Sequence, residues 1–434
     1  METSDIYEIY LQHPVVTTDS RNCPSGSMFF ALRGDNFDGN AYAASALEKG
    51  CAYAVVDEEK YAVDDRYILV DNVLKTLQNL AACHRERLSI PVLQITGTNG
   101  KTTTKELTRE VLSAKYRTAC TSGNHNNHIG VPLTLLGIRD DHEIAVVETG
   151  ANHPGEIEFL CRMVKADAGL VTNVGRAHLE GFGGFDGVKR TKGELYDDLR
   201  RRGGLVFVNA TDEELLGMTR ERGFVLGETA LPYVDGRVVD CNPFLQVEWR
   251  QGADMPWRQI QTHLIGAYNI ANIRAAITVG LHYGVAPDQI DKAIGGYVPS
   301  NNRSEFRKTC SNSLVIDAYN ANPSSMAAAL TNFAFINAEH KMVILGDMRE
   351  LGEESLVEHT KVLSQLSSQA DIEKIWLVGD EFKKALDSFP FSGVTCFTDV
   401  EAVKSVIAES PLVGYTILIK GSNGTRLYQL PELL

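Results

Sequence analysis

The feature that most limits how this chain can fold is the run SIPVLQITGTNGKTTTKEL, residues 89–107. A continuous apolar stretch ends in glycines, Lys101 and Thr102 follow, and a helical pattern begins, with Leu107 and Val111 four residues apart on one face. Gly97 and Gly100 let the backbone bend so that its N–H groups converge on an anion. The helix N-terminus adds a partial positive charge. In such a loop Lys101 neutralises β- and γ-phosphates and Thr102 offers a hydroxyl to magnesium. The general pattern asks for a glycine five positions before Gly100, where Ile95 stands, so this is a shortened GxxGKT form. A bare glycine turn before a helix is the plainer reading. Strand, GKT and helix in succession favour a nucleotide loop spanning Gly97, Thr98, Asn99, Gly100, Lys101, Thr102 and Thr103.

The rest of the 434 residues supports an α/β protein of several domains. SMFFALRG and CAYAVVD read as short buried strands, with a helix between them closed by Gly50. PVLQIT, EIAVVET and AGLVTNV alternate with helical stretches, the pattern of a parallel sheet with crossover helices. A β-like region follows GGLVFVNA and extends to about residue 263. NIANIRAAITVGLHYG reads as a helix with a glycine stop at Gly284, and GGYVPSNNRS as a turn-rich linker. SLVIDAY, KMVILGD, KIWLVGD and TILIKGS are strands of a second alternating block. The divisions fall at 1–88, 89–299 and 300–434.

Composition narrows the function. A net charge of −14 gives no overall field to attract nucleic acid or an anionic membrane, so an anionic ligand needs a local pocket. No apolar run approaches the roughly 18 residues of a spanning helix, and METSDIYEIY lacks the features of a secretory signal. The eight cysteines are scattered without a CxxC pair, against a zinc site or a disulfide framework. The expectation is a cytoplasmic protein, not membrane-embedded, that does not bind nucleic acid.

Ligands of α/β sheets sit at the carboxyl ends of strands. EIAVVETGANH ends in Glu148, a hard oxygen donor suited to magnesium. TNVGRAHLEGFG places His178 and Glu180 in a glycine-bounded loop, and KRTKGELYDDL puts Lys192 on a helix. A loop histidine and a helix lysine are ordinarily structural and solvated, respectively. No NKxD guanine-reading motif is present, so a switch GTPase loses ground.

Together, TGTNGKTTTKE, GNHNNHIGVPLTLL, ETGANHPGEI, TNVGRAHLEGFGG, KGEL, DAYNANPSSMAAAL, LGDMRELG and KGSNG resemble the Mur ligases, ATP-dependent amino acid or peptide ligases of peptidoglycan synthesis. They occur in family order across all three blocks. NHNNHIGVPLTLL, DAYNANPSSM and LGDMRELG resemble the branch that uses D-alanyl-D-alanine, and the DNPR motif of the diaminopimelate-adding branch is missing. The resemblance implies a small α/β domain for a UDP-sugar (1–88), a central P-loop ATPase-like parallel-sheet domain (89–299) and a C-terminal Rossmann-like domain that binds the dipeptide (300–434). It implies ATP and Mg2+ as cofactors, UDP-MurNAc-tripeptide and D-Ala-D-Ala as substrates, and a monomer.

Residue by residue, the resemblance makes Lys101, His178 and Lys192 catalytic. It makes Thr102, Glu148, His178 and Lys192 magnesium ligands, Lys192 after carbamoylation. Asn269 and Asn272 match the asparagines near adenine, preceded here by Tyr268 where the family commonly has histidine. Arg303 and Asp317 match residues that hold ATP from the C-terminal domain. Ser20 and Arg21 match the UDP-binding segment, against a plain loop role. Asn126 and Asn127 would orient sugar or peptide amides, against a turn role. Asn320, Asn322, Ser324, Lys420 and Ser422 would contact the dipeptide.

The implied reaction activates the tripeptide carboxylate as an acyl phosphate, which the dipeptide amine then attacks. Water must be excluded, and Pro299 to Asn302 would serve as the closing hinge. A related ligase such as a folylpolyglutamate synthase, another Mur ligase, and a nucleotide-binding regulatory protein without ligase activity are the alternatives.

Overall fold

The structure, a computed structural model, describes residues 1–299 and 304–434. The linker reading at 300–303, including Arg303 and all of the expected hinge except Pro299, lies outside the described residues.

The N-terminal block is built on four short parallel strands in the order Val16–Thr17, Met28–Phe30, Tyr53–Val56, Tyr67–Leu69. Alternation along the second strand divides its side chains between two faces. Phe29 and Ala31 pack with Ala43, Ala46 and Leu47 of the helix Ala43–Glu48. Met28, Phe30 and Leu32 join the opposite core, with Ile6, Tyr10 and Leu77. Gly50 follows that short helix at φ 116, a conformation costly for any residue with a Cβ.

The middle block holds a six-stranded, all-parallel sheet. Its order is Ala230–Pro232, Leu205–Val208, Ala168–Val171, Val92–Thr96, Ile144–Glu148, Thr118–Cys120. Val92–Thr96 and Ile144–Glu148 are buried along their whole length because helices cover both faces. The helices Lys101–Ser113 and Asn269–His282 pack on one face. Gly130–Leu136, Glu156–Val164 and Phe185–Arg202 pack on the other. Val92–Thr96 is flanked by strands reached in opposite directions, so its carboxyl end is a topological switch point, where such sheets bind ligands. The β-like region is a three-stranded antiparallel sheet, Asp235–Cys241, Leu245–Arg250 and Arg258–Gln261. Leu245, Val247 and Trp249 alternate into the core.

The C-terminal block is a second six-stranded sheet. The antiparallel edge strand Glu305–Lys308 precedes five parallel strands in the order Ser313–Asp317, Thr416–Lys420, Lys341–Gly346, Ile372–Val378, Val394–Phe397. Asp317 pairs in register with Lys420, which places two charged strand ends side by side. Among the described residues no helix is long and apolar enough to cross a membrane.

Packing links the blocks. One core runs without interruption from the N-terminal helix Thr3–Gln12 through the helix Val73–Arg87 to one face of the middle sheet. The buried Arg85 pins that junction. Its guanidinium donates to the carbonyls of Val164 (2.8 Å), Lys165 (2.9 Å) and Leu88 (3.1 Å) and pairs with Asp167. Replacing Arg85 with alanine leaves these carbonyls without their donor. Urea denaturation of Arg85→Ala should show a loss of about 2–4 kcal/mol. A loss under about 0.5 kcal/mol would contradict the pinning role.

Candidate active site

The loop after Val92–Thr96 has glycine where no other residue fits. Gly97 lies at φ 142 and Gly100 at φ 78. A Cβ on Gly97 would stand 2.0 Å from the Thr172 hydroxyl, and one on Gly100 2.5 Å from Asn272 Oδ1. The next strand end grips the loop. Thr98 N donates to Asn173 O and Asn99 N to Asn173 Oδ1, both at 3.0 Å. Asn99 O accepts from Thr172 Oγ1 (2.6 Å) and Asn173 Nδ2 (2.9 Å). The loop is thus held from outside, and the first-turn amides of Lys101, Thr102 and Thr103 face its mouth at the positive helix end. Lys101 Nζ donates to the loop carbonyls of Gly97 (2.8 Å) and Thr98 (2.9 Å).

Glu148 ends the adjacent strand and is fully buried. Its Oε1 accepts from Thr102 Oγ1 (3.1 Å) and Asn126 Nδ2 (2.7 Å), and its backbone N–H donates to Thr121 Oγ1. Glu148 Oε2 is buried without a hydrogen bond, with Lys105 Nζ 4.0 Å away. A buried carboxylate oxygen left open beside a threonine hydroxyl fits a hard divalent cation whose remaining ligands come from phosphate and water. Among the described residues no group of three His, Cys, Asp or Glu side chains makes a metal cage without such a ligand. Asn126 belongs to this cluster. Asn127 Oδ1 accepts from Ile129 N and Gly130 N, so it caps the helix Gly130–Leu136.

His178 stands at φ 51 before the short helix Leu179–Phe182. Its Nδ1 meets the Glu350 carboxylate of the C-terminal block. Burial holds the imidazole below its ordinary pKa, against the pull of Glu350. Lys192 is 2% exposed, with its Nζ 5.3 Å from the Phe182 ring centroid. Burial, and then the charge of Lys101, push its pKa down to about 7. As an ammonium it is no metal ligand. As a carbamate it would be an anionic oxygen donor.

Asn269 and Asn272 begin a relay behind the loop. Asn269 Nδ2 donates to Ile265 O (2.7 Å), Asn272 Nδ2 to Asn269 Oδ1 (2.8 Å), and Thr104 Oγ1 to Asn272 Oδ1 (3.0 Å). Each amide retains a second hydrogen. The Tyr268 hydroxyl pairs with Ser304 at 2.9 Å. Across the gap Lys420 Nζ is ion-paired with Asp317 and donates to Asn320 O at 3.2 Å. Asn322 caps the helix Pro323–Phe335 through Ser325 N (2.9 Å), and its Nδ2 donates to Asn99 Oδ1 of the loop at 2.8 Å. Ser324 Oγ accepts from Arg176 N.

One cleft of about 1000 Å³ gathers most of these residues. Its walls include Thr98 to Lys101, Thr103, Asn126, Asn127, Glu148 and His178 from the middle block. Asn269 and Asn272 lie beside them, and Asp317, Asn320, Ser324 and Lys420 face them. The carboxyl ends of the two large sheets therefore share a cavity. Thr102, Lys192 and Asn322 are buried and do not line it. Ser422 is used elsewhere, donating to Asp347 O at 2.6 Å. Ser20 and Arg21 do not line the cleft: Arg21 is exposed and paired with Asp19, and Ser20 O accepts from Lys49. Sequence reasoning passed over Lys105, Asn173 and Glu350. Lys105 was detectable as a lysine on the buried face of the loop helix, and Asn173 as a polar residue just past a strand end.

Family models match the chain in three parts: "Mur ligase family, catalytic domain" over residues 14–87, "Mur ligase middle domain" over 95–280, and "Mur ligase, glutamate ligase domain" over 302–423. The chain is 33% identical to the UDP-N-acetylmuramoyl-tripeptide--D-alanyl-D-alanine ligase of Bacillus subtilis, covering 96% of this chain and 92% of that one. It is 32% identical to the Escherichia coli enzyme of the same name, covering 96% and 93%. The MurF crystal structure from Acinetobacter baumannii superposes with a TM-score of 0.82 at 30% identity, covering 96% of this chain and 92% of that one.

The depressed Lys192 predicts a pH signature. Below pH 7 the lysine is charged in both folded and unfolded chains, and the native state bears the full cost of burying the charge. Above the ordinary value of 10.5 neither form is charged and the cost is gone. Lys192→Met should therefore be more stable than the parent by about 3–5 kcal/mol at pH 6. The gain should fade as pH rises from 7 towards 10.5. Urea titrations of both proteins across that range, in buffer depleted of carbon dioxide, measure it; a gain that stays constant with pH contradicts it.

Proposed function

The chain belongs to the Mur ligase family, and from that membership we propose how its residues carry out the ligation. The protein joins D-alanyl-D-alanine to UDP-N-acetylmuramoyl-tripeptide with hydrolysis of ATP to ADP and phosphate, a step of peptidoglycan precursor synthesis. The observation that carries the residue-level reading is the shared cleft, into which both the phosphate loop and the strand ends of the C-terminal sheet open.

Forming an amide from a carboxylate and an amine in water is uphill, so the carboxylate is activated first. The terminal carboxylate of the tripeptide attacks the γ-phosphorus of ATP, the bond to the bridging oxygen breaks, and ADP leaves. The dipeptide amine then attacks the acyl carbon, and phosphate departs with one carboxylate oxygen. In this reading Lys101 turns from the loop carbonyls to the β- and γ-phosphates, where the first-turn amides add fixed positive dipoles. Magnesium, held by Thr102 Oγ1 and Glu148 Oε2, would supply charge neutralisation at the phosphates. A pKa of about 7 leaves roughly half of Lys192 as free amine at neutral pH, the form that adds carbon dioxide. His178, kept neutral by burial, and the resulting carbamate would be further ligands for magnesium at the reacting centre.

Asn269 and Asn272 present their unused amide hydrogens to the adenine, and Asp317 takes the ribose. Lys420, Asn320 and the helix start at Ser324 receive the dipeptide carboxylate. Arg21 exchanges Asp19 for the diphosphate. It does not line the cleft, and in this reading it takes the far end of a long UDP-sugar peptide, each extended residue of which spans about 3.4 Å. We place the reaction in the cytoplasm, carried out by a monomer.

The test is an incubation with ATP, magnesium, UDP-MurNAc-tripeptide and D-Ala-D-Ala, following ADP and the new amide. One ADP should appear per pentapeptide, and both should require the dipeptide. ADP release that ignores the dipeptide and yields no pentapeptide would overturn the reading.

A further inference from the structure

The segment LGDMRELG, residues 345–352, is the motif that the roles above leave unused. It is the tip of the C-terminal strand Lys341–Gly346, and its backbone is fixed on three sides. Asp347 accepts from Glu381 N (3.1 Å) and Phe382 N (2.9 Å) through its carboxylate, and from Ser422 Oγ through its carbonyl. Met348 N donates to Nε2 of the buried His359, whose Nδ1 reaches Ser355 O at 2.8 Å. Met348 and Leu351 are buried anchors on either side of Glu350.

That frame holds Glu350 at φ 62 with its carboxylate on Nδ1 of His178, itself at φ 51. Two non-glycine residues in the left-handed region thus meet across the gap between blocks. Such conformations persist where the surroundings enforce them, and they gather at functional sites. Next to this contact Arg176 pairs with Glu354 at 2.8 Å and lies 3.6 Å from Glu358. The acidic arm therefore grips residues 176–178 at several points. With Nδ1 facing a carboxylate, the imidazole donates from Nδ1. Nε2 makes no hydrogen bond among the described residues, and His178 lines the cleft.

We propose that Glu350 is a positioning residue, reaching from the C-terminal block to fix the tautomer and direction of His178 so that Nε2 is presented to the reacting centre only when the two blocks are closed. A carboxylate on the far nitrogen of a ligating histidine is a general way to orient the ring and raise its basicity. Here the carboxylate comes from the opposite half of the molecule, so closure and assembly of the centre become one event. The kinetic consequence rests on the ligase reading above; the tautomer does not.

Two measurements on the full chain test it. In enzyme labelled with 15N-histidine at pH 8, His178 should show a protonated Nδ1 and a bare Nε2, and Glu350→Ala should move the ring towards the Nε2–H form. In the ligase assay Glu350→Ala should lower kcat by about 10–100-fold with little change in the KM for ATP. The double variant His178→Ala/Glu350→Ala should be no slower than His178→Ala alone, because Glu350 acts through the ring. An unchanged tautomer in Glu350→Ala, or losses that multiply in the double variant, would overturn the proposal. A parent enzyme that forms no pentapeptide would defeat the ligase reading instead and leave the NMR comparison to decide this one.

Discussion

Burial of the Glu148 carboxylate is the constraint on which the rest of the site depends. Removing an ionised carboxylate from water costs several kcal/mol unless hydrogen bonds and opposite charge offset it. Here the compensation arrives from separate elements: Thr102 from the loop helix, Asn126 from the segment before the helix Gly130–Leu136, and Lys105 one turn beyond Thr102. Lys105 is buried too and donates to Thr121 O and Gly123 O. These partners converge because Ile144–Glu148 runs parallel between the loop strand and Thr118–Cys120. Sheet order therefore sets the chemistry, and the single unbonded oxygen, Oε2, is what the fold leaves for a ligand.

The same economy governs how the halves meet. The loop residue Asn99 is bonded on one side by Asn173 and on the other by Asn322, which caps a helix of the C-terminal block. Arg176 and His178, just beyond Asn173, are held by glutamates of that block. A segment of seven residues, 172 to 178, thereby touches the phosphate loop and the acidic arm at once. The loop therefore has a short, hydrogen-bonded route to the C-terminal block.

Much of this was legible in the sequence. Long apolar runs ending in polar or glycine residues located the inner strands of both large sheets, because a strand covered on both faces has no polar alternation to hide it. The glycine loop announced its own geometry, since Gly97 and Gly100 occupy positions where a Cβ collides with Thr172 and Asn272. Short edge strands such as Val16–Thr17, Thr118–Cys120 and Ala230–Pro232 were not legible, being too brief to show a period. At the site, Lys101, Thr102 and Glu148 carried local signals. Glu350 did not, because its contact is with a partner 172 positions away. Asn127 and Ser422 illustrate the opposite limit: polar residues at strand ends and turns are as readily drawn into caps and backbone contacts as into ligand binding.

The central claim is that the phosphoryl group taken from ATP at this loop activates a carboxylate. It is tested most directly with UDP-MurNAc-tripeptide carrying 18O in both oxygens of its terminal carboxylate. Attack of that carboxylate on the γ-phosphorus, followed by cleavage of the acyl C–O bond, leaves one labelled oxygen on phosphorus. Mass analysis of the released inorganic phosphate should therefore find one 18O per pentapeptide formed. Pentapeptide formed alongside unlabelled phosphate would contradict the account.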